Sequence, residues 1–134
     1  MVKQITIYST CQGEGISHYL KHYFPEDNFN VIRNYNIVLS NQPNEIESFI
    51  NLLTNTNIFI YQQMPMKWGI YSTDLSVENN LLSYLPNNCI KIVIPYVFAD
   101  WYWGLKKHCY GIRHMNLIQY VKNLKTILNI IINK

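Results

Sequence analysis

A regular alternation of short apolar runs with stretches of helical periodicity constrains the fold of this chain more than any other feature. Four runs are rich in β-branched and aromatic residues, which predicts strands. They cover residues 4–8, 29–33, 57–61 and 89–94. Apolar residues recur at helical spacing over 16–24, 43–53, 75–85 and about 114–131. Strands joined by helical crossovers favour a parallel sheet with helices on both faces. The sequence therefore predicts an α/β three-layer sandwich with about four mostly parallel strands and a C-terminal helix.

Length and composition indicate one globular domain. The chain has 134 residues, of which 49% are hydrophobic and 14% charged, so a single α/β domain over 1–134 is expected and disorder is not. The net charge of +3 is too small for a nucleic-acid-binding surface. The first residues lack a signal-peptide pattern, and no apolar run has the length of a membrane span. We therefore expect a cytoplasmic protein without a transmembrane segment.

The cysteines indicate reduced thiols. Cys11, Cys89 and Cys109 are an odd number, and their spacing is not that of paired zinc ligands. Neither a disulfide framework nor a metal site is expected. Cys89 stands at the start of its predicted strand, where it is expected to be a structural thiol.

Cys11 stands between the first predicted strand and the helical pattern that follows it. The free N–H groups and the positive dipole end of that helix favour a thiolate over a thiol. Gly13 and Gly15 permit a close approach of backbone to a ligand. Cys11 is thus a candidate nucleophile or anion-site residue, and the alternative is a small buried cysteine that only fills the turn.

Ligands of open parallel sheets bind outside the carboxyl ends of the strands. That rule selects the segments 11–15, 62–68 and 95–103, which are expected to converge at one edge. Trp68, Trp101 and Trp103 within them could stack on sugar or adenine rings, or could instead cap the core or a subunit contact.

Three short motifs in this order resemble the WcbI-type polysaccharide biosynthesis acyltransferases. They are Thr10-Cys11-Gln12-Gly13, Tyr61-Gln62-Gln63, and Ile94-Pro95 followed by aromatic residues. The resemblance covers roughly residues 4–104 and extends more broadly to SGNH-type hydrolases and acyltransferases, with sulfur in place of the serine oxygen. Ser9-Thr10 stands where the family carries Gly-Asn. The resemblance implies acyl transfer from coenzyme A or acetyl-coenzyme A to a saccharide acceptor in capsule or other surface polysaccharide biosynthesis.

The site residues that such a reaction needs can be assigned as hypotheses. Cys11 would attack the thioester, and His108 or His114 would act as the base. Backbone N–H groups near Gln12 and Gly13, with the side-chain amide of Gln62 or Gln63, would stabilise the oxyanion. Trp101 and Trp103 would contact substrate. The phosphates of coenzyme A would meet Lys106, Lys107 and Arg113. Each histidine could instead be exposed or structural, and each cation part of a solvated face.

Two other classes of function stay open. Residues 11–17 also resemble the phosphocysteine loop of sugar phosphotransferase IIB domains, in which a cysteine after the first strand accepts a phosphoryl group. A tyrosine phosphatase is disfavoured because Ser17 stands where the loop arginine is required. The other class is a non-catalytic binding or scaffold module that keeps the fold. A homo-oligomer could complete a site that one chain leaves open.

Overall fold

The computed structural model describes residues 2–34, 43–94 and 117–132. They belong to two compact units, Met1–Pro95 and Tyr96–Lys134. The strands of the first unit are β1 (Gln4–Ser9), β2 (Asn28–Arg33), β3 (Ile58–Gln62) and β4 (Ile90–Ile94). Its α-helices are α1 (Gln12–Tyr23) and α2 (Pro43–Thr54), and two 3₁₀ segments follow β3, at Met66–Tyr71 and Leu81–Tyr84. The expectation of one domain over the whole chain stays a prediction.

The four strands form one parallel sheet in the order β2-β1-β3-β4. Ile7 of β1 pairs with Val31 of β2 on one side and with Ile60 of β3 on the other. The two central strands are almost wholly buried, which explains why they are nearly continuous apolar runs. The predicted α/β class with a parallel sheet of four strands is therefore confirmed.

Helices cover both faces of this sheet. Gly13 of α1 lies directly over Ile7, since a Cβ at Gly13 would come within 3.2 Å of the Ile7 Cγ2 atom. The neighbouring Tyr8 points to the opposite face, because successive strand residues alternate in direction. There it packs against Phe49 of α2, with ring centroids 5.5 Å apart. The first unit thus has helix, sheet and helix layers, as the sequence predicts.

Aromatic side chains fill the core on the α2 face. The rings of Tyr8 and Phe59 stack with centroids 6.2 Å apart, and those of Phe59 and Tyr61 with centroids 5.2 Å apart. The Tyr8 hydroxyl donates a hydrogen bond to the Tyr71 carbonyl at 2.9 Å. Burial of the Tyr61 ring raises the pKa of its hydroxyl. These contacts fix the 3₁₀ segment that follows β3 to the sheet.

The predicted helix over 75–85 is wrong. The chain forms turns there and then the short 3₁₀ segment Leu81–Tyr84. Asp74 accepts hydrogen bonds from the backbone and hydroxyl of Ser76, and Asn80 accepts from the backbone of Leu82 at 3.0 Å. Short polar side chains that bind nearby backbone groups compete with the helical ladder, so the apolar spacing alone overstates the helix.

In the second unit, helix α3 covers Leu117–Ile132. It confirms the predicted C-terminal helix over the residues that the structure describes; 114–116 lie outside them. Leu124 and Leu128 are fully or almost fully buried, one turn apart, whereas Ile127 and Ile130 are exposed. None of the helices in the described ranges is both long enough and apolar enough to cross a membrane.

Candidate functional site

The carboxyl ends of the three neighbouring strands β1, β2 and β3 bring several polar residues to one edge of the sheet. Strand β1 ends at Ser9, and α1 begins at Gln12, so the chain turns from sheet to helix within two residues. Arg33, the last residue of β2, pairs with Ser9. On the other side, Tyr8 pairs with Tyr61 of β3, so Gln62 lies next to the turn. This edge is where the sequence predicts the site.

Gln62 holds the turn that carries Cys11. Its side chain is completely buried, accepts a hydrogen bond from the Thr10 backbone N–H at 2.8 Å, and donates one to the Gln12 side-chain oxygen at 2.6 Å. Both ends of the amide are therefore engaged by residues that flank the cysteine. The two segments expected to meet here, 11–15 and 62–68, are in direct contact through Gln12 and Gln62. Oxyanion stabilisation by Gln62 stays a prediction.

Cys11 is exposed at the N-cap position of α1, with φ of −55° and ψ of −16°. Its sulfur makes no capping hydrogen bond to the helix. The thiol can therefore be reached from solvent, and the alternative of a buried packing cysteine is wrong. Cys89 differs because it is buried in the core, and that burial raises the pKa of its thiol. Its predicted structural role fits this position.

Gly13 brings α1 close to the sheet just below Cys11. Its N–H donates to the Thr10 carbonyl at 3.2 Å, which closes the turn. A Cβ at this position would overlap the Ser9 hydroxyl and lie 3.3 Å from the Val31 Cγ1 atom. The requirement for glycine is therefore steric, since the residue is helical and needs no positive φ. Its predicted part in an oxyanion hole stays a prediction.

An ion pair between β2 and α1 lies beside the same turn, and sequence reasoning missed it. The Arg33 guanidinium lies 2.6 Å from the Glu14 carboxylate, and both side chains are about half exposed. The hydrogen bond and charge of Glu14 raise the pKa of Arg33, and Cys11 adds a smaller contribution in the same direction. A cation thus faces the cysteine turn from β2. The signal was present as a single arginine at the end of a predicted strand, but its partner depends on strand register.

The chain beyond β3 leaves this edge as an exposed loop. Gln63 is exposed, and Met64 is anchored by a hydrogen bond from its N–H to the Thr73 hydroxyl at 2.8 Å. The 3₁₀ segment Met66–Tyr71 buries none of its residues, and Trp68 retains 36% of its surface. The Lys67 ammonium lies 5.3 Å from the centre of the Trp68 ring. Trp68 is therefore an exposed aromatic surface and does not cap the core.

The other predicted site residues lie outside the described residues. They are Trp101, Trp103, Lys106, Lys107, His108, Arg113 and His114. His18 and His22 of α1 are described and exposed, and neither lies in the first turn of the helix. Within the described part of the chain, no three His, Cys, Asp or Glu side chains are grouped so that they could hold a metal ion. The identity of the base stays a prediction.

A comparison with solved structures identifies a distant relative in fold. The chain is similar to WcbI, a polysaccharide biosynthesis enzyme, with a TM-score of 0.56 and 17% sequence identity. The WcbI structure is of the native protein without a disulfide bond between coenzyme A and one of its cysteines. The match covers 83% of this chain and 38% of the WcbI chain. No protein-family model and no curated protein matches the sequence. The likeness shows a shared fold.

Proposed function

We propose that this protein transfers an acyl group, an acetyl group in the simplest case, from coenzyme A to a saccharide in surface polysaccharide biosynthesis. The observation that carries the proposal is the exposed Cys11 thiol, which a buried glutamine holds at the ligand-binding edge of a parallel sheet. The fold is shared with WcbI, a polysaccharide biosynthesis enzyme, and the WcbI structure is described as lacking a disulfide bond between coenzyme A and a cysteine. Localisation in the cytoplasm, where acyl-coenzyme A is available, belongs to this proposal.

Cys11 performs the first step as the nucleophile. Its thiolate attacks the carbonyl carbon of the acyl thioester, a new C–S bond forms, and the thiolate of coenzyme A leaves as the tetrahedral adduct collapses. A hydroxyl of the saccharide then attacks the acyl group on Cys11, and a base takes its proton. The Cys11 thiolate is released and the ester product forms. His108 or His114 is the proposed base.

Backbone N–H groups of the turn stabilise the oxyanion of both steps. Gln12 and Gly13 supply these N–H groups, and a side-chain amide from the end of β3 adds a further donor. Gln62 or Gln63 supplies this amide, and the Gln62 amide also donates to Gln12. Gln63 is exposed at the same edge. Gln62 also positions the turn, through its hydrogen bonds to Thr10 and Gln12.

Cations and aromatic rings recognise the two substrates. Lys106, Lys107 and Arg113 bind the phosphates of coenzyme A, because ammonium and guanidinium groups form charge-assisted hydrogen bonds to phosphate oxygens. Trp68 offers an exposed ring on which a sugar can stack, and Trp101 and Trp103 are the other proposed substrate contacts. A homo-oligomer is one way in which a further wall of the site could be supplied.

The proposal is tested by calorimetric titration of coenzyme A and acetyl-coenzyme A into wild type and Cys11→Ser. We expect micromolar binding to both proteins, since the thiol reacts with the thioester and contributes little to binding. After incubation with acetyl-coenzyme A, intact-mass spectrometry should find one acetyl group on wild type and none on Cys11→Ser. Absence of binding to both proteins would refute the proposal. Binding without acetylation of wild type would instead favour a non-catalytic binding module.

The phosphocysteine alternative is favoured by one specific observation. Cys11 starts a helix, and the Arg33 cation faces the same turn, so the site presents positive charge to an anion. In that case neither form of coenzyme A binds, and a phosphoryl group is found on Cys11 after incubation with a phosphoryl donor protein. Cys11→Ser would not carry a phosphocysteine, which makes the same pair of proteins decisive.

A further inference from the structure

The ion pair of Arg33 and Glu14 encloses the cysteine turn between two elements. Arg33 ends β2 and is in register with Ser9, two residues before Cys11. Glu14 lies in the first turn of α1, three residues after Cys11. The 2.6 Å contact between their side chains therefore links β2 to α1 beside the turn that carries Cys11. Neither Arg33 nor Glu14 is among the residues to which the proposed acyl transfer gives a role.

The charges of this pair act on the sulfur in opposite directions. The Glu14 carboxylate by itself disfavours a second negative charge nearby, whereas a guanidinium favours it. The guanidinium contacts Glu14, which lies one helical turn from Cys11, so the geometry brings a cation to the turn that carries the sulfur. Arginine keeps its charge at every pH of interest, and its side chain loses much conformational freedom when a carboxylate holds it. Glu14 thus fixes the position of a permanent cation beside a thiol.

We propose that Arg33 is a positioning residue for the Cys11 nucleophile. Held in place by Glu14, its guanidinium stabilises the negative charge that the sulfur carries before it attacks and after it is released. The role of the sulfur as the acyl acceptor rests on the proposed function. The effect of Arg33 on the charge of the sulfur does not rest on the proposed function. The effect of Arg33 and the acyl transfer can therefore be tested separately.

The test measures the rate at which iodoacetamide alkylates Cys11 in the folded protein at about pH 7, where the thiolate is the reacting form. The reagent is uncharged, so Arg33 cannot attract it. Mass spectrometry of the Cys11 peptide separates this reaction from those of the other two cysteines. The variants are Arg33→Gln and Arg33→Lys, and the control is Lys21→Gln. Lys21 is an exposed cation in the last turn of the same helix, so its loss changes the net charge equally but far from Cys11.

We expect Arg33→Gln to slow the alkylation of Cys11 about two- to fivefold, the effect of losing one solvent-screened charge from the same turn. Arg33→Lys should restore most of the rate, because the charge returns, and Lys21→Gln should react like wild type. Lysine would also restore the ion pair with Glu14, so the salt dependence of the wild-type rate is what separates an effect of charge from a structural role. If Arg33→Gln and wild type react equally fast, the proposal is refuted.

A second measurement uses wild type alone and so tests the proposal even if Arg33→Gln does not fold. Raising the salt concentration to about 1 M shortens the screening distance to about 3 Å, which weakens the stabilisation of the thiolate by Arg33, so wild type should react more slowly. A wild-type rate that does not change with salt would contradict the proposal without any variant. Titration of coenzyme A into the same proteins then separates the two claims. Slower alkylation without coenzyme A binding supports the role of Arg33 and refutes acyl transfer.

Discussion

Gln62 ends a strand whose other members are apolar or aromatic, and its side chain is entirely buried. A buried amide is costly unless it is hydrogen-bonded. Here the bonds go to Thr10 and Gln12, about fifty residues earlier in the chain, on both sides of Cys11. One polar residue therefore ties both flanks of the Cys11 turn to β3. Loss of the Gln62 side chain is therefore expected to affect both the stability of the domain and the position of Cys11.

Replacing Gln62 by methionine keeps its length and removes both hydrogen bonds. The partly buried Thr10 N–H then loses its acceptor, so we expect the free energy of unfolding to fall by about 1–3 kcal/mol. Urea unfolding followed by circular dichroism measures the loss. Gln63→Met is the matched control, since Gln63 is the adjacent exposed glutamine, and it should cost less than about 0.5 kcal/mol. Equal losses for the two variants would contradict the role assigned to Gln62.

A carboxylate in the loop after β3 gives a prediction about pH. Hydrogen bonds from the hydroxyl and the backbone N–H of Ser76 lower the pKa of Asp74 below its ordinary value. The ionised form is thus favoured in the folded state, and its contribution is present at neutral pH and lost as the pH falls through the lowered pKa. We expect Asp74→Asn to unfold at lower urea concentration than wild type at pH 7. The two should converge as the pH falls through the lowered pKa of Asp74.

Ser76→Ala provides the companion measurement for Asp74. It removes the hydroxyl bond at 2.7 Å but leaves the backbone bond at 2.9 Å. Its destabilisation relative to wild type should follow the same pH dependence with a smaller amplitude. A difference between Asp74→Asn and wild type that stays constant from pH 7 to about pH 3 would contradict this account.

Helix α1 carries the candidate site. Gly13 is the residue of α1 that determines how close the helix lies to the sheet. Gly13 is buried against Ile7, Ser9 and Val31, whereas Gly15, two residues later, has no neighbour within 4 Å of an added Cβ. Both glycines have helical backbone angles. Comparing alanine substitutions at Gly13 and Gly15 therefore separates the energetic cost of a steric contact from the helix propensity of the backbone.

The substitutions Gly13→Ala and Gly15→Ala should have opposite effects on stability. At Gly13 the added methyl group forces α1 away from the sheet or displaces the Ser9 hydroxyl, and we expect a loss of about 1–3 kcal/mol. At Gly15 alanine has the higher helix propensity and open space, so a gain of about 0.5–1 kcal/mol is expected. Urea unfolding measures both. A neutral Gly13→Ala would mean that the helix is not in close contact with the sheet.

At this scale, the sequence predicts regular elements well and side-chain partners poorly. Period-two and helical patterns locate β1, α1 and α2 because burial imposes those periods. The same patterns fail over 75–85, where Asp74 and Asn80 bind local backbone. Cys11 and Gln62 could be expected at one edge from the rule for parallel strands. The role of Gln62 and the ion pair of Arg33 could not, since both depend on contacts between residues distant in the chain.

For the molecule as a whole, the fold and the function have different support. The chain is similar in fold to WcbI over 83% of its length, but it spans 38% of the WcbI chain. The function therefore has to be argued from local chemistry. That chemistry is distributed asymmetrically, because the exposed Cys11 lies at the carboxyl edge of the sheet and the buried Cys89 just before β4, at the opposite edge. One thiol reports on the site and the other on the core.

This asymmetry predicts that the two thiols react with iodoacetamide under different control. Cys89 belongs to the core cluster that also contains Leu81, Leu85 and Phe59, and burial raises the pKa of its thiol. If its labelling requires global unfolding, the reaction in native buffer should be at least about 10³-fold slower than in denaturant, as expected for a domain stable by about 5 kcal/mol. Cys11 should react in the native protein at a rate that denaturant changes far less.

Mass spectrometry of the two peptides after a short alkylation pulse, at increasing urea concentration, makes the measurement. Protection of Cys89 should disappear at the same urea concentration as the circular dichroism signal, because both report on the sheet and its core. Rapid labelling of Cys89 in the absence of urea would show that the core around β4 opens locally, and the structural role of Cys89 would then be wrong. Protection of Cys11 in native buffer would contradict an exposed nucleophile, and with it the proposed chemistry of the site.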